Sequence, residues 1–106
     1  MTSQHRTLSL SDSNQIRSYL RGNMQKLGIT KKELQVCDLI LDHPDGITYN
    51  ELFDRMYDGR KVPASHAVVK VFVSKIRGRI KEEKFEIVPA WKSTNREVGI
   101  HFRMRP

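Results

Sequence analysis

A chain of 106 residues holds one domain with a modest core, and its formal net charge of +7 with a pI near 9.9 is compatible with an acidic partner. The single cysteine, Cys37, excludes an internal disulfide and fits a reducing compartment, while His5, His43, His66 and His101 are scattered without metal-ligand spacing. No apolar run is long enough to span a bilayer and the polar N-terminus lacks a signal-peptide core, so a cytoplasmic protein with no membrane partner is expected.

The charge is unevenly spread. Residues 1–28 carry +3, residues 29–64 carry −2 and residues 65–106 carry +6. A solvated face of mixed sign is the ordinary expectation for a basic protein, and the last two fifths of the chain depart from it.

Residues 1–12 are polar, with Leu8 and Leu10 as anchors. From about Ser13 to Leu27, the recurrence of Ile16, Leu20, Met24 and Leu27 at spacings of four, four and three predicts a helix. Ser11, Asp12 or Ser13 can cap its start, and Gly28 is placed to end it. Gly22 inside the pattern costs roughly 1 kcal/mol relative to Ala, so the helix needs a packing partner. That partner is either the rest of the domain or a second copy of the chain. On the second choice, residues 1–28 form an arm that makes a homodimer through Ile16, Leu20, Met24 and Leu27, and residues 29–106 form the domain proper.

Thr30-Lys31-Lys32-Glu33 is a capping-box pattern, in which the threonine hydroxyl and the glutamate carboxylate satisfy free backbone N–H groups reciprocally. Leu34, Cys37, Ile40 and Leu41 follow as an apolar stripe, widened by Val36 and Leu39, until His43-Pro44-Asp45-Gly46 stops the helix. Cys37 on that stripe reads as a buried small hydrophobe. A second capping-box pattern, Thr48-Tyr49-Asn50-Glu51, opens a short helix with Leu52, Phe53 and Met56 inside, ending near Tyr57-Asp58-Gly59. Two capped helices about a tight turn resemble a helix-turn-helix, a unit also found in many proteins that never touch nucleic acid. A loop from Asp58 to Ala64 follows, with Arg60, Lys61 and Pro63, and Ser65 caps the next segment.

Residues 65–84, SHAVVKVFVSKIRGRIKEEK, fit two periods unequally. As a strand, the alternation puts Phe72 with Lys70 and Ser74, and the run is long for a strand. As a helix, Val69, Phe72, Val73, Ile76 and Ile80 share one stripe, with Lys70, Val71, Ser74, Lys75, Arg77, Gly78 and Lys81 on the other side. The helix is the better fit, over about residues 66–82. Val71 on a basic face suits thymine methyl groups in a major groove, beside lysines and a serine that can meet base edges or phosphates. The alternative has Val71 and Lys75 facing water or packing beneath the N-terminal helix.

Phe85–Val88 and Val98–Phe102 read as strands about a segment, residues 89–97, rich in turn formers. They predict a β-hairpin with Lys92 and Arg96 near its tip. Trp91 reads as packing at the hairpin base, with stacking on a nucleobase as the alternative. A basic hairpin after a basic third helix makes the expected class α+β: a winged helix-turn-helix of three helices plus a C-terminal hairpin, with an additional N-terminal helix. In such a fold the helix enters the major groove and the wing reaches the minor groove or phosphates.

The residues also resemble a known family. ITKKELQVCDLILDHPDGITYNELFDRMYDG (residues 29–59), VVKVFVSKIRGRI (residues 68–80) and the Trp91 hairpin are similar to the C-terminal output domain of OmpR/PhoB-type response regulators, CtrA-like members above all. The resemblance covers about Ile29 to Phe102, and its most specific piece runs from Val71 to Arg77. It implies sequence-specific binding of double-stranded DNA and control of transcription in the nucleoid, without a cofactor. It carries Val68, Val71, Ser74, Lys75 and Arg77 over as base or phosphate contacts. The candidate DNA-binding set is completed from the helix and wing by Ser65, His66, Lys70, Lys81, Lys92 and Arg96. In that family the loop between the second and third helices can touch RNA polymerase; here it is residues 58–64, with Arg60 and Lys61. No phosphoacceptor receiver domain fits within this length. The family's opening antiparallel sheet is replaced by a helical pattern, Lys70 stands where an acid is common, and Ala67 and Val68 replace a basic–threonine pair.

Two other readings compete. The same fold can serve as a protein-interaction module or adaptor on the transcription machinery, through the helix 13–27 stripe and the 58–64 loop. An enzyme is not expected, because no nucleophile–base set, paired carboxylates, phosphate-cradling glycine loop or metal cluster stands out.

Overall fold

Ser9 opens the first helix. Its side chain accepts a hydrogen bond from the Asp12 N–H at 3.0 Å, so α1 runs Leu10–Gly22, starting three residues before the pattern suggests. The computed structural model describes residues 8–57, 67–92 (main chain only at Lys92) and 97–106. The continuous helix expected to Leu27 breaks at Asn23, whose φ of −123° and ψ of 20° leave the helical region. The Asn23 side-chain amide donates instead to the Tyr19 carbonyl at 2.8 Å. A single turn, α2 (Met24–Leu27), follows and ends on Gly28 at φ 76°, a left-handed conformation that favours glycine.

Helix α3 (Lys31–Leu41) starts on the predicted capping box with both of its bonds, each 3.1 Å. Helix α4 (Tyr49–Met56) keeps only half of its own. Thr48 accepts from the Glu51 N–H at 3.0 Å, but the Glu51 carboxylate turns away to Arg55 at 3.3 Å, with His43 at 3.8 Å. Between them lies a strand that the sequence pattern does not announce, β1 (Ile47–Thr48). Helix α5 (Ala67–Arg79) then leads to β2 (Phe85–Lys92) and β3 (Val98–Met104).

The three strands form one antiparallel sheet in the order β1-β3-β2, with Ile47 opposite Ile100 and Ile87 opposite Phe102. Strand β2 continues four residues past Val88, through Pro89. It lies at the sheet edge, where a residue without an N–H is tolerated, and its register shifts between Pro89 and Trp91. The Trp91 indole N–H donates to the Asp45 carbonyl at 2.8 Å. A β-carbon at Gly99 would overlap the indole ring, and one at Gly46 would come within 2.6 Å of its nitrogen. Both glycines therefore let the indole pack over β3 and the Asp45–Gly46 turn, at the turn end of the hairpin and not at the base where the sequence reading placed it.

One core unites these elements in an α+β fold. Val36, Ile40, Ile47, Leu52, Val69, Ile76, Ile100 and Phe102 are sealed in it. Ile16 and Leu20 of α1 belong to the same cluster, at 2 % and 0 % exposure. Arg17 reinforces the seam between α1 and α3 by reaching Asp38 at 3.0 Å and Asp42 at 2.9 Å, while Arg21 reaches Asp38 at 3.2 Å. The first helix is thus part of the domain, and the boundary drawn at residue 28 does not separate two packing units.

Candidate nucleic-acid interface

Helix α5 sorts its side chains by the 3.6-residue period. Val69, Val73 and Ile76 are buried, Ile80 is buried just beyond the last turn, and Phe72 is half-buried against the core. The opposite arc, Ala67, Lys70, Val71, Ser74, Lys75 and Gly78, is exposed, and Lys81 continues it beyond the helix end. Across that arc Lys70 and Lys81 lie toward one margin and Lys75 toward the other. Ala67, Val71, Ser74 and Gly78 occupy the middle. Within α5 no acidic residue stands on it, and Glu82 is exposed in the turn beside Lys81. Val71 is 50 % exposed, unusual for a valine on a helix with its own core stripe.

The structure separates the remaining predicted site residues. Val68 is half-buried and packs on the core, so most of its surface is spent inside. Arg77 is half-buried too, and its Nε–H donates to the Ile87 carbonyl of β2 at 3.2 Å. Its guanidinium is thereby tied to the hairpin, a correction to its place among the free cations of the helix. Ile16 and Leu20 leave no surface for a partner, a correction to the proposed dimer stripe; Met24 and Leu27 are half-buried. Ser65, His66, Arg60, Lys61, Arg96 and the side chain of Lys92 lie outside the described residues.

A division of labour between the two basic residue types runs through the described chain. Arg17, Arg21, Arg55, Arg79, Arg103 and Arg105 each pair with a carboxylate, and Arg77 holds a carbonyl. No described lysine joins an ion pair. Lys70 and Lys32 instead sit over the rings of Tyr49 and Tyr57, at 5.7 and 5.4 Å from their centroids. Guanidinium forks match carboxylates bidentately, whereas an ammonium on a flexible stem stays hydrated and mobile.

The pair that sequence reading missed joins α5 to α3. Arg79 Nε donates to Glu33 Oε1 at 2.8 Å, and Glu33 is 2 % exposed. Burial alone would raise the Glu33 carboxyl. The Arg79 and Thr30 hydrogen bonds and the charges of Arg79 and Lys75 outweigh it and hold the carboxyl below its ordinary value. Glu33 is legible as a capping residue, but its partner lies 46 positions away.

No family model, curated protein or solved structure matches this chain. Among the described residues no helix is long and apolar enough to cross a membrane.

Proposed function

We propose that this chain is a winged-helix domain that binds double-stranded DNA and regulates transcription, in the manner implied by its resemblance to OmpR/PhoB-type output domains. The element order supports the reading: α3, β1, α4, α5 and the β2–β3 hairpin follow one another as helix, short strand, helix, helix and wing. In it α5 enters the major groove and the wing meets the minor groove or phosphates. The observation that carries the proposal is the exposed, lysine-bearing arc of α5, free of acids from Ala67 to Arg79 and left uncovered by the described elements packed around that helix.

Electrostatics gives the test. If about six phosphates are neutralised, log affinity for a duplex falls with log salt at a slope near −5. Fluorescence titration of labelled duplex between about 50 and 200 mM salt measures it, and a slope near zero removes the proposal. Selection from random duplexes identifies the preferred site, and an enriched inverted or direct repeat reports binding as a homodimer.

A groove favours the adaptor reading. It has a volume of about 340 Å³ and lies between α1 and the end of the hairpin, with Gln15, Tyr19, Lys84 and Met104 at its surface and Ile16 only beneath it. If a protein partner, RNA polymerase included, is the main target and seats in this groove, Met104→Asp abolishes partner capture, whereas reversing Lys70 and Lys75 leaves it intact.

A further inference from the structure

We infer that the floor-facing ridge of α5 recognises thymine methyl groups, so that the preferred DNA is A·T-rich and read by apolar contact, not by bidentate hydrogen bonds. The inference rests on the DNA-binding proposal and adds the chemical class of its target. Its first ground is the placement of charge across the exposed arc. Lys70 and Lys81 stand toward one margin and Lys75 toward the other. A helix lying in a major groove presents the margins of its outer arc to the two phosphate walls and the middle to the base edges.

The second ground is what the middle holds. Guanine is read by arginine or lysine, and adenine by the amide of asparagine or glutamine. The middle of the arc has none of these, its lysines standing at the margins. The described arginines are all engaged elsewhere, and Arg77, the one nearest the arc, is held by the Ile87 carbonyl. What remains is the methyl of Ala67, the half-exposed isopropyl group of Val71 and the hydroxyl of Ser74, which can meet either kind of base edge.

The third ground is Gly78. A β-carbon there would meet nothing within 4 Å, and its backbone is not left-handed, so the fold does not require glycine. An unneeded glycine in the middle of the arc lowers the surface next to Val71. The helix can then sink toward the base pairs until the valine reaches a C5-methyl group.

The test compares two duplexes of one selected sequence, identical except that every thymine in the second is replaced by uracil, which removes only the methyl groups. Burial of one methyl is worth about fourfold in affinity, so two contacted thymines predict a loss of about tenfold to twentyfold. Val71→Ala narrows this ratio toward one. Lys75→Ala keeps the ratio and lowers the salt slope by about one, the share of a single phosphate. Equal affinity of wild-type protein for both duplexes, or selection of sites centred on G·C pairs, overturns the thymine-methyl inference alone. Absence of binding to either duplex at low salt overturns the DNA-binding proposal, and this inference with it.

Discussion

Burial, with added pressure from the charges of Asp38 and Glu33, pushes the Cys37 thiol up to about 12. At neutral pH the sulfur is a protonated core group, without the thiolate that reacts with electrophiles. A thiol reagent should leave native protein unlabelled over a period that fully labels the protein in denaturant. Labelling should rise with denaturant along the same curve as loss of helical circular dichroism; stoichiometric labelling of the native state would contradict this burial. Glu33 makes the opposite case, a charged group kept inside. Its folded carboxyl titrates below the ordinary 4.5, so the stabilisation it brings is complete above that pH and drains away as pH falls through the lowered value. Glu33→Gln should cost about 1.5–3 kcal/mol at pH 7, the worth of hydrogen bonds to a charged group. It should also flatten the acid limb of stability against pH. Urea melts from pH 7 to pH 3 check both, and an unchanged acid limb would assign the pH dependence to other carboxylates.

At the scale of elements, legibility followed periodicity and failed where contacts across the chain decide. Helix α5 was legible because Val69, Val73 and Ile76 repeat at helical spacing despite a β-branched composition. Strand β1 was not, since two residues carry no period and Ile47 becomes a strand only by pairing with Ile100. The break at Asn23 was hidden because Met24 and Leu27 keep the apolar spacing across it. The extension of β2 through Pro89 depended on its place at the sheet edge, which no local signal encodes. Of the candidate site, the exposed half of α5 could be read from its period, whereas the capture of Arg77 by β2 required the tertiary structure. Helix α5 also yields a stability prediction. Because a methyl at Gly78 meets no neighbour, Gly78→Ala should stabilise the fold by up to about 1 kcal/mol. A thermal melt should then show a midpoint higher by several degrees, as expected for a domain of this size. If the open surface at Gly78 serves close approach to DNA, the stabilised variant should bind its duplex more weakly. A lower melting temperature would mean that the glycine answers a packing need of the fold.

For the whole molecule, the net charge of +7 matters less than how it is divided. Arg17 and Arg21 tie α1 to α3, Arg79 ties α5 to α3, and Arg103 and Arg105 converge on Glu86 at 2.7 and 2.8 Å. The arginines thus hold elements together and use up acids as they do so. Lys70, Lys75, Lys81 and Lys84 are left exposed and outside any ion pair, and they supply the field that an approaching polyanion meets. On the DNA-binding proposal, this division separates binding from stability. Acetylation removes the charge of a lysine without altering an arginine. Exhaustive acetylation under native conditions should therefore abolish duplex binding, and the salt dependence with it, while the circular dichroism spectrum is retained and the melting temperature moves little. A small shift is expected because Lys70 and Lys32 lose their contacts with the Tyr49 and Tyr57 rings, worth about 0.5–1 kcal/mol each at exposed sites. Unfolding on acetylation would show that lysines also hold the fold. Undiminished duplex binding would move the interface away from α5, to a surface whose affinity does not depend on lysine charge.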